Sequence, residues 1–538
     1  MNYTALTIGP IHKTLQSVKS TKAIWAASYM FSYLIKEIIK QINNKNDIII
    51  PYSKEVEING KKENPLAEDF KKRAGLFPDR IILKGKIDIQ RIIDEILTGF
   101  GKKSKIPIAY LKNYINCYHL SVELADNENI ILRIYQLLDS LELQQRVLEN
   151  ANLNYIEEFL EKINPYNFLL KSEFEERPFP STIEITTSEF EKLEGYIEAA
   201  KELRKKDDEE NQTNFIKAIK KIADNKFRNY QKYIAVVQAD GDYMGAFIKQ
   251  LYGLPNKDHL IKQFSKNLLS FAIESVELIK KFSGTPIYAG GDDLLYFMPV
   301  AQTNTDGNIT FINKTVFSLI AEIDKIFNKY FTDFNEEGID FKGIIAQVKK
   351  KPSMSYGVSI SYYKFPLNQA LEEGVNQLFN IAKKTDKKNA VSYTILKHSG
   401  QYFGTTFHKD ETSYTTFNEL IKENLTGDNF IHSVIYKLDP QKEVIKEIGK
   451  IAAANRADTF NNFFLNNFNE SVHRDKNDRN KLVGFLTKTK QLFIDIYNEN
   501  ELNNSELGID KQNEINLNKI YSALRFIDFI HNKEERDD

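Results

Sequence analysis

A strand-length apolar run that ends in two closely spaced carboxylates constrains this chain more than any other feature. Residues 233–238 (YIAVVQ) read as a buried strand, and they lead straight into Asp240-Gly241-Asp242 within VVQADGDYMG. Helical spacing follows at Ile261, Phe264, Leu268, Phe271, Val276 and Ile279, until Gly284 and Pro286 stop it. Two β-rich runs, 287–289 and 294–300, then flank Gly290-Gly291-Asp292-Asp293 as a hairpin. A second helical face carries Val316, Leu319, Ile323, Ile326 and Tyr330; a fourth strand is expected over 356–362 (YGVSISY) and another helix over 367–382. The order is βαββαβα.

That order predicts a split-βαβ, ferredoxin-like sheet, the frame of polymerase and nucleotidyl-cyclase Palm domains. The chain's opening has a related character. Residues 3–8 (YTALTI) are β-like, Gly9-Pro10 breaks them, Ile24, Ala27, Phe31, Leu34 and Ile38 share a helical face, and 47–50 (DIII) is a short strand. From about 87 to 230 the pattern is mainly helical, as over 89–96 and 130–148, with breaks near Pro107, Pro165 and 178–180. The run 201–211 (KELRKKDDEEN) reads as a solvated helix end or linker. After Gly400 the expectation is helices, over 418–425, 440–466, 481–499 and 517–531.

Composition narrows the function classes. At 538 residues the chain has room for about three or four domains. Hydrophobic residues at 42%, charged residues at 27% and a mean hydropathy of −0.43 place it among folded globular chains and exclude a disordered one. No apolar run is long enough to span a bilayer and no signal peptide is evident, so the expectation is a cytoplasmic protein without a membrane partner. A single cysteine, Cys117, excludes an internal disulfide and a Cys-rich zinc site. Net charge −1 provides no global field for nucleic acid, so RNA contact must come from local patches or partner subunits.

The chemistry concentrates in the two acidic clusters. With one helix between them in a βαββ sheet, Asp240 and the Asp292-Asp293 pair can converge at one sheet edge. Packed carboxylates repel one another unless a cation neutralises them, and hard oxygen ligands suit Mg²⁺ or Mn²⁺ with phosphate completing the shell. Two such ions would stabilise the attacking and leaving oxygens of an in-line phosphoryl displacement. Gly241 and Gly245 flank a strand-to-helix turn whose backbone N–H groups can face a triphosphate, and Gly290-Gly291 lets the hairpin approach a base or sugar. Taken singly, GGDD and DGD are each explained as tight turns; their occurrence together, in this order, favours a metal site. Lys383, Lys384, Lys387 and Lys388 end the last helix and either hold phosphates or simply complement the helix dipole. Ser355 and Gly357 begin the fourth strand, as pocket-lining residues or as a plain strand entry.

With those residues in hand, the chain resembles the large subunit of type III CRISPR effector complexes, in the type III-B (Cmr) form. The opening 8–35 (IGPIHKTLQSVKSTKAIWAASYMFSYLI), with Trp25, Ala27, Ser28 and Tyr29, resembles that family's first, degenerate Palm, and 75–81 (GLFPDRI) its following loop. DGDYMG, GGDD, SYGVSISYYKFPL over 355–367, AKKTDKKNA and KHSG follow in the family's order. The implied fold class is α+β: a degenerate Palm over 1–86, a mainly helical domain over 87–230, a catalytic Palm over 231–402 and a C-terminal helical domain over 403–538. The implied activity is RNA-activated nucleotidyl transfer that joins AMP units from ATP into cyclic oligoadenylate, or joins AMP to S-adenosylmethionine as some relatives do. Asp240, Asp292 and Asp293 would hold the two metal ions, with Asp242 assisting, and Lys383 and Lys388 would clamp the triphosphate. The implied partners are other Cmr subunits, guide RNA and target RNA. None of the eight histidines precedes an aspartate, so the HD nuclease of many relatives is expected to be missing, as is their four-cysteine zinc site. The competing readings are a stand-alone GGDEF-like cyclic-dinucleotide cyclase and a non-catalytic scaffold for an RNA complex. ATP turnover with and without Mg²⁺ separates all three.

Overall fold

The computed structural model describes all residues except 43, 45–46, 126–127, 145–153, 162–167, 175–178, 206–207, 307–308, 337, 424–429, 469–475, 504–507 and 532–538. The expected breaks at Pro165 and Pro178 lie outside the described residues, as does the end of the helix expected over 130–148, which is seen over Ile130–Glu142.

The first sheet is built from β1 (Asn2–Gly9), β2 (Ile48–Ile50), β3 (Arg80–Lys84) and β4 (Asn116–Glu123), ordered β2-β3-β1-β4. Helix α1 (Thr21–Gln41) joins β1 to β2, and α2 (Ile89–Ser104) lies between β3 and β4. Ser20 caps α1 by accepting from the backbone N–H of Ala23. Trp25 on that helix is fully buried, stacks on Tyr29 at 4.6 Å and donates its indole N–H to the Arg73 carbonyl. The fourth strand comes from a stretch whose sequence reads as mainly helical.

The second sheet contains β5 (Tyr233–Asp242), β6 (Thr285–Gly290), β7 (Asp293–Pro299), β10 (Ser353–Tyr362), β11 (Ala390–Leu396) and β12 (Tyr402–His408). Its order is β12-β11-β10-β5-β7-β6, so β5 is central with β10 and β7 antiparallel on either side. Between β7 and β10 come the hairpin β8 (Ala301–Asp306) and β9 (Ile309–Thr315), which the sequence pattern did not announce, and then α3 (Val316–Tyr330). The helices expected after Gly400 are preceded by β12. Gly400, at φ +79°, and the Lys397 N–H to Gln401 carbonyl bond close the turn, after which Phe403 and Phe407 pack inward at alternate positions.

Alternation along β5 divides the core. Ile234 and Val236, with Leu295 and Phe297 of β7, share a cluster with α1 of the first domain. Ala235, Val237, Leu294 and Tyr296 share the other with α3, the long helix Lys257–Lys281 and the C-terminal helix Ile509–His531. The second sheet is therefore covered on both faces, and its strand ends are what remain for chemistry.

Candidate functional site

The C-terminal end of β5 carries Asp240, Gly241 and Asp242, opposite Ser355, Met354 and Ser353 of β10. On the other side, Ala239 pairs with Leu294 of β7, and Gly290 pairs with Asp293 across the Gly291-Asp292 turn, where Gly291 has φ +73°. The antiparallel register therefore brings Gly241 beside Asp292. A Cβ on Gly241 would lie 2.3 Å from Asp292 Oδ2 and 2.7 Å from Met244 Cγ. Only glycine admits the hairpin carboxylate this close to β5. Gly290 is equally constrained, since its Cβ would fall on the Tyr288 ring and hydroxyl.

The two hairpin carboxylates strain against their setting. Burial, then repulsion from Asp293, pushes Asp292 up to about 7, while backbone N–H groups of Asp292 and Gly241 pull the other way. Asp293 keeps solvent contact at the tip, yet the protein mass around it, followed by the charge of Asp79, pushes it up to about 7 as well. Asp79 belongs to the first domain. Its segment docks on β6: Gly75 donates to the Ile287 carbonyl and accepts from the Ala289 N–H. Gly75 fits because a Cβ there would press on Ser32 of α1 and on Tyr288.

Lys383, with a side chain only 12% exposed, ion-pairs with Asp240 and donates to the Gly241 carbonyl at 2.9 Å; Asp242 Oδ1 is 3.7 Å away. An amine thus already sits among the oxygens of the strand end, pushed down to about 7 by burial and then by the charge of Lys388. Asp242 is fully buried and turned into the sheet, where its Oδ2 accepts from Ser353 Oγ at 2.8 Å, Ser355 Oγ at 2.7 Å and the Asn389 N–H at 3.0 Å. Asp242 and Ser355 therefore act as a brace between β5, β10 and the loop before β11, and neither side chain opens toward a ligand. Lys388 lies over the Tyr243 ring at 4.7 Å. Tyr243, at φ +58°, turns the chain into the helix Met244–Tyr252, whose N-terminus has no side-chain cap, so the backbone N–H groups around Gly245 are not satisfied by one.

Among the described residues no three Asp, Glu, His or Cys groups converge as a ready-made cage. Mg²⁺ does not need one, because it is held by one or two carboxylates plus substrate phosphates. Asp240, Asp292 and the Gly241 carbonyl offer hard oxygens, and the hairpin pair carries repulsion that a divalent ion relieves. The donor set fits. Two features went unread in the sequence: the approach of Asp79, although GLFPDRI stood out as a motif, and the lysine run 349–351, a signal visible in the letters alone.

Residues 233–392 match the family model for the Cas10/Cmr2 second palm domain, and residues 3–103 match that for the N-terminal part of the CRISPR-associated protein Cmr2. The CRISPR system Cmr subunit Cmr2 of Pyrococcus furiosus is 28% identical over 245 residues, which is 40% of this chain and 25% of that protein. The match thus spans a quarter of the curated relative's length. Two cryo-EM structures of a type III-B Cmr-beta complex contain similar chains, both 12% identical: the apo state, with TM-score 0.49 over 99% of this chain and 82% of the other, and the form bound to cognate target RNA, with TM-score 0.50 over 99% and 83%. The second of these is a likeness of fold. Among the described residues no helix is long and apolar enough to cross a membrane.

Proposed function

We propose that this chain, a member of the Cmr2 large-subunit family of type III-B CRISPR effector complexes, is a nucleotidyltransferase that joins AMP units from ATP into a cyclic oligoadenylate or onto S-adenosylmethionine. Both sheets are read as ferredoxin-like Palm frames, the first degenerate and the second catalytic. The observation that carries the reading is the seating of Asp292 directly on Gly241, beside Asp240, at one strand end.

In the transfer, an acceptor hydroxyl attacks the α-phosphorus of ATP, a new P–O bond forms, and pyrophosphate leaves with the broken bond. Two Mg²⁺ or Mn²⁺ ions held by Asp240, Asp292 and Asp293 would lower the pKa of the acceptor hydroxyl and neutralise charge on the phosphates. Asp242, Ser353 and Ser355 fix the strand end so that Asp240 and the hairpin keep their spacing. Lys383 is placed to exchange Asp240 for phosphate oxygens when nucleotide binds. The N–H groups at the start of the Met244–Tyr252 helix, which no side chain caps, add donors on the same edge.

The partners proposed are the other Cmr subunits, guide RNA and target RNA, since the chain's net charge of −1 provides little affinity for RNA alone. The deciding experiment is the mass spectrum of products from ATP and Mg²⁺, with and without S-adenosylmethionine, for the chain alone, the assembled complex, and the complex with matched target RNA. Product that appears with Mg²⁺ and rises with target RNA supports the reading. A chain that leaves ATP intact in every arm is a scaffold, and equal rates in all arms mean a constitutive cyclase.

A further inference from the structure

A cavity of about 470 Å³ lies where the two domains meet, at the end of β1 remote from the acidic site. Tyr3 near the start of β1 pairs with Lys84 at the end of β3, and both line the cavity. The other end of β1 faces the hairpin carboxylates: Ile8 donates to the carbonyl of Asp79, whose charge acts on Asp293. Strand geometry puts about 20 Å between Tyr3 and Gly9, so the cavity is separate from the reacting edge. The second domain completes it with Tyr252 and the first turns of the helix Lys257–Lys281.

The lining suits an anion with a flat apolar body. Ser53 lines the cavity, is only 4% exposed, and its hydroxyl has no partner among the described residues. A buried hydroxyl left without a bond is destabilising, and an entering acceptor relieves that. Lys54, Lys84, Lys257 and Lys262 stand on the lining against the single carboxylate of Asp258, which is exposed. No side chain caps the helix at Asn256, so its positive end opens on the same space. Between these charges the walls are apolar, with Ile49, Ile130 and Ile261 beside the rings of Tyr3, Tyr52 and Tyr252. A simple inorganic anion has no use for such walls, whereas a phosphate joined to a base uses both halves.

We propose that this cavity binds a nucleoside monophosphate, its phosphate toward the lysines and helix N-terminus and its base among the tyrosines. Because the walls belong to different domains, the bound nucleotide ties them together and stabilises the folded chain by linkage. The site goes beyond the transfer argued above and uses none of Asp240, Asp292, Asp293 or Lys383.

The test is calorimetric titration of AMP, adenosine and ribose 5-phosphate into the full chain in chelator, which leaves the strand-end carboxylates without metal. AMP should bind about tenfold tighter than either fragment. Lys257→Gln/Lys262→Gln should weaken AMP about tenfold while leaving adenosine unchanged. Ser53→Ala should weaken AMP about fivefold without lowering the thermal midpoint of the free chain, since the hydroxyl has no bond to lose. Lys383→Gln should bind AMP as the wild type does. Absence of AMP binding by the wild type overturns the proposal, as does unchanged affinity in Lys257→Gln/Lys262→Gln. Binding lost in Lys383→Gln instead would put the nucleotide at the strand end and overturn it too. Ribose 5-phosphate that binds as tightly as AMP overturns the assignment to a nucleotide. A 5′-phosphorylated oligoadenylate that binds more tightly than AMP overturns the assignment to a free nucleotide and gives the cavity to an RNA end.

Discussion

The two sheets of this chain thread alike and end differently. In each, the first strand is central, the third and fourth strands flank it, and the second lies outside the third. In the first sheet β1 ends in Thr7, Ile8 and Gly9, paired on one side with Tyr118, Cys117 and Asn116; on the other side Thr7 pairs with Arg80 and its hydroxyl donates to Glu142, but the strand itself ends in no carboxylate. In the second, the equivalent end is Asp240-Gly241-Asp242. The second-to-third-strand connections differ as well: a two-residue turn bearing Asp292 in one case, and in the other a long excursion through a small hairpin, Val56–Ile58 and Lys61–Glu63, before β3. Strand order alone thus places no chemistry; the residues at the strand ends do. The long connection has a use of its own, because its residues around Gly75 and Asp79 reach the hairpin of the other sheet.

The comparison breaks most severely if the hairpin carboxylates are dispensable. Asp292→Ala with Asp293→Ala should lower conversion of ATP by the assembled complex on the order of 10³-fold or more. The same variant should fold as well as wild type, because the pair adds repulsion rather than packing. Product yield and thermal midpoint, read side by side, check this; retained yield would make the two sheets functionally alike.

A second contrast uses the two glycines. Gly241→Ala drives a methyl group into Asp292 and Met244, displacing the hairpin, and should cost roughly 10²-fold in rate through misplacement of the reacting groups. Gly9→Ala, at the matching strand end, meets nothing closer than 3.9 Å and should change stability by less than about 0.5 kcal/mol. Parallel rate and denaturation measurements on the two variants would expose a false equivalence of the strands.

Asp242→Asn sharpens the role of the buried brace. One amide oxygen can still accept from the three donors on Oδ2, but the charge that strengthens those bonds is gone and an NH₂ group needs an acceptor, so the expected loss of stability is about 1–3 kcal/mol. Urea unfolding measures it. No change would mean that Asp242 does not hold β10 to β5.

Much of this architecture was legible because buried strands and amphipathic helices have periods of 2 and 3.6, and β5, β6, β7 and α3 follow them closely. The joining of Asp240 to GGDD was legible for the same reason. Strand β12 was not: its Tyr402, Gly404 and Thr406 interrupt an apolar pattern carried by only Phe403 and Phe407. The duties of Asp242 and Ser355 depended on register across β5 and β10, which sequence spacing does not encode. The approach of Asp79 to Asp293 depended on docking between domains, through backbone bonds of Gly75 that any residue type could make in principle and that only the absence of a Cβ allows here.

The smallest expected effect tests whether the first sheet's domain touches the second's chemistry at all. Asp292 and Asp293 both have folded-state values raised to about 7, well above the ordinary carboxylate range, so without divalent ions the folded chain holds protons that the unfolded chain has released. Stability from these groups is therefore present at low pH and is lost as pH rises from about 4 through 7. Adding Mg²⁺ should remove that loss, since the ion replaces the protons. Asp79→Asn removes the charge that raises Asp293 and also Asp79's own carboxyl, which burial pushes up, so on both counts the metal-free loss of stability with rising pH becomes shallower. Thermal midpoints across the pH series, in chelator and in Mg²⁺, compare Asp79→Asn with wild type. A slope change of the same size in the Asp292→Ala/Asp293→Ala background would be Asp79's own titration and confine the electrostatics of the site to the second sheet, whereas a change that shrinks in that background would place the first domain's carboxylate in the field of the hairpin.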